Sequence, residues 1–157
     1  DRGSVDVGRI LADTTALARP KLSERCKALD CQINFEVQCE PNVMLVGNAG
    51  ELRQGLLNLT LNALDAMQRS GTISLRAFED NGDAVLQVID SGDGMDENTL
   101  AQCQSAFFTT KGTGGTGLGL ATTVNTVHAH GGELEIESEI GVGTTVEIRL
   151  PIDLAIE

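Results

Sequence analysis

Hydrophobic and polar positions recur along this chain with two different periods. Ile10, Leu11, Leu17 and Leu22 fall at helical spacing and predict a helix across 5–29, which Pro20 is expected to kink or break. Ile33, Phe35, Val37 and Cys39 alternate with polar residues, the pattern of a half-buried strand. Pro41-Asn42 reads as a turn and Val43–Val46 as a short strand. Asn48 is placed to cap a helix running to about Arg69, which Gly71 ends. Thr72–Glu79 and Ala84–Asp90 flank Asn81-Gly82, a strong hairpin signal. Asp90–Gly94 predicts a loop, Asp96–Ala106 a short helix with acids in its first turn, and Phe107–Gly115 an aperiodic loop. Thr116–Ala129 predicts a helix terminated by Gly131-Gly132. Glu133, Glu135, Glu137 and Glu139 alternate with Leu134, Ile136 and Ser138 as the solvent face of a strand, and Thr144–Leu150 follows as the last strand. Helices falling among mostly hairpin-linked strands predict an α/β sandwich, a mixed and mostly antiparallel sheet with helices on one face.

The length of 157 residues suits one compact domain over 1–157, with 1–4 read as the remnant of a linker. No apolar run reaches the roughly 18 residues of a membrane span, so no direct membrane insertion by this chain is expected. Cys26, Cys31, Cys39 and Cys103 form no C-x-x-C pair and the first three have no histidine nearby. They read as small buried thiols in a reducing cytosol. A net charge of −12 argues against nucleic acid as a partner. The distribution of charge changes that picture. From Asn98 to Gly132 there is no Asp or Glu, and Lys111 is the only Lys or Arg between Arg76 and Arg149. One acid-free window holding one cation is the setting of an anion site.

On a helical wheel over 51–69, Leu52, Leu56, Leu59, Ala63, Ala66 and Met67 make an apolar side, which Leu57, Leu61 and Leu64 extend. Glu51, Gln54, Asn58, Asn62, Asp65 and Arg69 gather into a polar stripe. Asn58 and Asn62 are four apart and Asp65 three further on, so the three project together. Neutral amide oxygens suit a Mg²⁺ ion that already carries phosphate oxygens and waters; the plainer alternative is a stripe facing solvent. Asp90 ends a strand and can accept a hydrogen bond from an exocyclic amine such as that of adenine. Gly92 and Gly94 let backbone approach a flat ring. An EF-hand is the rival reading of this loop, but Ala101 stands where its bidentate Glu belongs. Lys111 then precedes a glycine-rich run to Leu120, flanked by the hydroxyls of Thr109, Thr110, Thr113 and Thr116. Such amides and a following helix N-terminus suit phosphate, and so many glycines suit a mobile lid. Gly112-x-Gly114-x-x-Gly117 matches the dinucleotide fingerprint, but no hydrophobic strand precedes it. A Walker loop would need the lysine after the glycines, not before.

Together these pieces resemble the Bergerat-fold ATPases, the superfamily of gyrase B, HSP90, histidine kinases and MutL. Within it the chain looks like the catalytic and ATP-binding domain of a sensor histidine kinase, from about Val5 to Pro151. Leu52–Ala66 resembles the N box, Asp90-x-Gly92-x-Gly94 the G1 box, Phe107–Lys111 the F box and Gly115–Leu120 the G2 box; His130-Gly-Gly132 and Gly141-x-Gly143-Thr-Thr145 resemble the strand signatures that follow. The resemblance implies ATP and Mg²⁺ as ligands. Asn62 would be the main magnesium ligand, supported by Asn58, and Asp90 would read the adenine amine. Lys111 and the amides of Gly115, Thr116, Gly117, Leu118 and Gly119 would hold phosphate, within an ATP lid over 107–116. Asp65, Gly92, Gly94 and Thr145 complete the implied nucleotide site, and Asn58, Asn62 and Lys111 its catalytic set.

Hydrolytic relatives carry a Glu general base four residues before the magnesium asparagine. Here that position is Asn58, which cannot take a proton. The resemblance therefore implies slow hydrolysis and donation of the γ-phosphate to a histidine on a dimerisation domain, then to a response-regulator receiver domain. Only His128 and His130 occur, both read as structural or surface residues, so the acceptor is expected elsewhere and autophosphorylation by this chain is not. A cytoplasmic place is implied, including as the cytosolic part of a membrane-bound sensor. Asn48 departs from the Asp common in relatives, and the short lid is similar to that of nitrogen-sensor kinases. Two other functions remain open: an anti-sigma-type serine kinase sharing the pocket, and a non-catalytic nucleotide-binding module, which a lost box would favour.

Overall fold

The computed structural model describes residues 2–108 and 117–152. Strand β1 (Gly3–Asp6) pairs antiparallel with β3 (Met44–Gly47). Gly3 and Ser4, expected in a leading linker, are thus ladder residues opposite Gly47 and Val46. Asp6 caps helix α1 (Val7–Leu29), its carboxylate accepting the Arg9 amide. Of the two outcomes expected at Pro20, a kink or a break, the break does not occur: the helix runs through it. The carbonyl that loses its donor belongs to Ala16, and both residues lie on the exposed side, where water substitutes.

Helix α2 (Ala49–Ala66) starts as predicted, with Asn48 Oδ1 accepting the Glu51 amide at 2.9 Å. It stops short of Arg69: Met67 is extended and fully buried. The cause is distant in sequence. The Arg25 guanidinium, on α1, donates to the Met67 and Asp65 carbonyls at 2.9–3.1 Å and satisfies the helix end. Gly71 then opens a strand rather than closing a helix.

The main sheet runs in the order β2 (Ile33–Cys39), β4 (Gly71–Asp80), β5 (Asp83–Asp90), β7 (Gly143–Pro151), β6 (Glu133–Glu139). Among the described residues only the β2–β4 pairing is parallel. Asn81 and Gly82 join β4 to β5 with φ of 52° and 83°, as a type I′ turn requires. Residues of one strand phase, among them Ile73, Leu75, Leu86, Val88, Ile148 and Leu150, bury against Leu11, Leu56, Leu59 and Leu64 of α1 and α2 and Val127 of α4 (Gly117–Ala129). On β6 the opposite phase, Glu133, Glu135, Glu137 and Glu139, faces solvent as predicted. The architecture is the expected α/β sandwich, a mixed sheet with helices on one face.

Helix α3 (Glu97–Phe108) contacts α4 and is capped by Asp96, whose carboxylate accepts the Thr99 amide at 2.7 Å. Phe107 and Phe108, expected to begin the loop, belong to this helix. The thiols are less buried than expected. Cys39 is exposed and Cys26 and Cys31 are half-buried, while the side chain of Cys103 lies outside the described residues.

Candidate functional site

Between α2 and the C-terminal half of β5 lies a cavity of about 330 Å³. Its walls are apolar: Leu59, Ala63 and Ala66 from α2, Val88, Ile136 and Val146 from the sheet, with Met95 and Leu120. These are the same phases that build the core, so the cavity is a gap in the helix–sheet interface rather than a separate feature. Polar groups enter at few points, chiefly Asn62, Asp90 and Thr144, with Gln68 and Asp93 also in the lining.

Asp90 is the last residue of β5 and is only 7% exposed. Burial raises its carboxyl above the ordinary range, and the amides of Gly92 and Thr144 partly offset this. One carboxylate oxygen accepts the Gly92 amide at 2.9 Å. With the Thr144 amide also bonded to it, the carboxylate keeps further acceptor capacity beside a largely apolar cavity, which is unfavourable unless a donor arrives there.

The loop after Asp90 is fixed from several sides. Ser91 exchanges hydrogen bonds with the Thr72 backbone, Gly141 donates to the Asp93 carbonyl at 2.9 Å, and Met95 donates to Ser138 Oγ at 2.8 Å. Gly94 sits at φ 74°, and a side chain there would collide with the Glu139 carbonyl. Gly92 abuts the Ala66 carbonyl at the end of α2. Both glycines thus set the loop against its neighbours, and Gly94 also lines the cavity.

The α2 stripe divides. Asn62 lines the cavity, and its Nδ2 is buried without a partner among the described residues. A carboxamide turned about its terminal bond presents oxygen at that point instead, so the side chain fits a role as ligand to a cation with phosphate. Asn58 lies one turn earlier, between helices. It accepts from Gln54 at 3.2 Å and donates to Thr123 of α4 at 3.4 Å. Asp65 turns away: its side chain is exposed and its carbonyl serves Arg25.

Thr145 also departs from expectation. It pairs with Ile89 and Glu137 on the outer sheet face, whereas Thr144 lines the cavity and hydrogen-bonds Ser138 Oγ at 2.7 Å. The signal was present in the strand's alternation. Val146, Ile148 and Leu150 are the inward phase, and Thr144 belongs to it.

Gly117, Leu118 and Gly119 form the first turn of α4, next to cavity residue Leu120. Lys111, Gly115 and Thr116 lie outside the described residues, with the rest of 109–116. Residues that sequence reasoning missed are Gln68, Asp93, Met95 and the apolar wall. Their membership depends on how loop and strands close over α2. Among the described residues no group of three or more His, Cys, Asp or Glu could hold a metal, and no helix is long and apolar enough to cross a membrane.

Residues 47–154 match the family of histidine kinase-, DNA gyrase B- and HSP90-like ATPases. The chain is 39% identical over 140 residues to the sensor histidine kinase ZraS of Escherichia coli strain K12, covering 85% of this chain and 28% of that protein. Among solved structures it is similar to the mycobacterial sensor histidine kinase MprB, with 26% identity, a TM-score of 0.78, and 96% and 97% of the two chains covered. It is also similar to full-length ShkA in complex with AMPPNP, at 27% identity and TM-score 0.76, covering 96% of this chain and 31% of that one. The chain therefore belongs to the histidine kinase-, DNA gyrase B- and HSP90-like ATPase family, and it is an ATP-binding catalytic domain of the sensor histidine kinase kind.

Proposed function

We propose that this domain binds Mg-ATP in the cavity below α2 and holds the γ-phosphate for transfer to a histidine on a dimerisation domain outside this chain. The buried Asp90 carboxylate, set into an apolar slot, carries the reading. It offers an acceptor where a flat, amine-bearing base fits, and the slot gives that base apolar faces to stack on. ShkA in complex with AMPPNP supports a nucleotide of this type in the fold. Asn62, with Asn58 behind it, would face the phosphates, and magnesium bound there would neutralise phosphate oxygens during transfer. Gly115–Gly119 amides and Lys111 would hold the same phosphates from the lid.

Asn58 favours donation over hydrolysis, since a carboxamide already bonded to Gln54 and Thr123 is no general base for water. A response-regulator receiver would then accept the phosphoryl group, in the cytoplasm. Mixing the domain with its cognate dimerisation domain and labelled ATP tests this reading. Acid-labile, base-stable phosphate on the partner is expected. Acid-stable phosphate on serine would establish the serine-kinase alternative, and brisk ATP hydrolysis by the domain alone would contradict the donor role.

A further inference from the structure

The C-terminal turn of α1 brings two cysteines together. Asp30 adopts left-handed backbone at φ 51°, and the Cys31 amide donates to the Cys26 carbonyl at 3.1 Å. This closure sets the residue beyond the left-handed position beside the one five back. A Cα-to-oxygen span, the 3.1 Å bond and an N–Cα bond bound the two α-carbons to within about 7 Å, and any bend along that path shortens it. Disulfides span roughly 4.4–6.8 Å between α-carbons. Both side chains are half-buried, pack against the same core and line one open groove with Ser23 and Ser70. Cys26 Sγ accepts the Ile33 amide at 3.4 Å, a bond that strengthens when the sulfur is a thiolate. Neither thiol touches the nucleotide cavity.

We propose that Cys26 and Cys31 are a dithiol modification site that closes to a reversible disulfide by exchange with a low-molecular-weight disulfide of the glutathione type. The Cys26 thiolate attacks one sulfur of that disulfide, forming a mixed disulfide and releasing one thiolate. The Cys31 thiolate then attacks the Cys26 sulfur and releases the second. The protein gives up two electrons and two protons, and the oxidant becomes two thiols. The turn already holds the pair together, so the second step is intramolecular and outruns attack by a second small molecule.

The test uses the full chain carrying Cys39→Ser and Cys103→Ser, incubated with oxidised glutathione, alkylated, and digested with trypsin, which cleaves after Lys27 and separates the two cysteines. The expected result is loss of both free thiols, a cross-link between the two peptides, and its reversal by dithiothreitol. Adding Cys26→Ser or Cys31→Ser should stop the reaction at a stable glutathione adduct. Two persistent free thiols, separate adducts on both cysteines, or a cross-link that forms only in denaturant would overturn the proposal.

Discussion

His130 Nε2 accepts the backbone amide of Asn48 at 3.0 Å, while Nδ1 donates to the Thr126 carbonyl at 2.8 Å. The ring is 2% exposed and joins the end of α4 to the cap of α2, the two helices that flank the nucleotide cavity. Gly47 gives it room, since a Cβ there would fall 2.6 Å from the ring. His130→Phe keeps the ring but strands the Asn48 amide, so a loss of about 2 kcal/mol in chemical denaturation is expected. A loss under about 0.5 kcal/mol would mean that the bond holds nothing.

Thr144 and Thr145 separate the two faces of β7. Thr144→Val should weaken binding of an ATP analogue by about tenfold, the loss of one hydrogen bond's worth of affinity. Thr145→Val, on the outer face, should leave affinity within about twofold. Titration calorimetry on both variants checks the assignment, and the reverse ranking would sink it.

Arg25 holds the last carbonyls of α2 from a neighbouring helix. Arg25→Ala should cost about 2 kcal/mol of stability by leaving a helix end unsatisfied. Lysine should rescue only part of this, because one ammonium cannot reproduce a planar two-carbonyl fork. Denaturant midpoints for the two variants measure the difference; full rescue by lysine would show that charge alone matters.

The buried carboxyl of Asp90 makes stability pH-dependent. Its folded-state value is raised above 3.8 by burial, so the folded chain holds that proton more tightly than the unfolded one. The resulting stabilisation is complete below 3.8 and is lost as pH rises through the folded value. Asp90→Asn carries no such charge. Without nucleotide it should melt higher than the natural chain at neutral pH, with the gap closing as pH falls towards 4. Parallel melting curves across that range would contradict the assignment.

Much of this was legible in the chain because local signals agreed with the fold. Asn48 and Asn81-Gly82 are short-range devices, and each does in space what its sequence context predicts. The alternation of β6 and the apolar side of α2 survive because one face of each meets a core. Long-range partners were not legible. Arg25 ends α2 early from about forty positions away, and nothing near Met67 announces it. That the helix runs on through Pro20 depends on which side of α1 faces water, and that is not a local signal. Asp65 shares the stripe's spacing with Asn58 and Asn62, yet in the last turn of α2 its side chain is exposed and outside the cavity lining. Thr145 stands one residue from the cavity-lining Thr144, and in a strand one residue reverses the face.

Calorimetric titration of a non-hydrolysable ATP analogue with Mg²⁺ into the natural chain and Asp90→Asn tests the central claim most directly. The account predicts saturable one-to-one binding to the natural chain and a loss of at least about a hundredfold in the variant, since a carboxamide cannot replace the carboxylate that meets the amine. Equal affinity in the two proteins would contradict it.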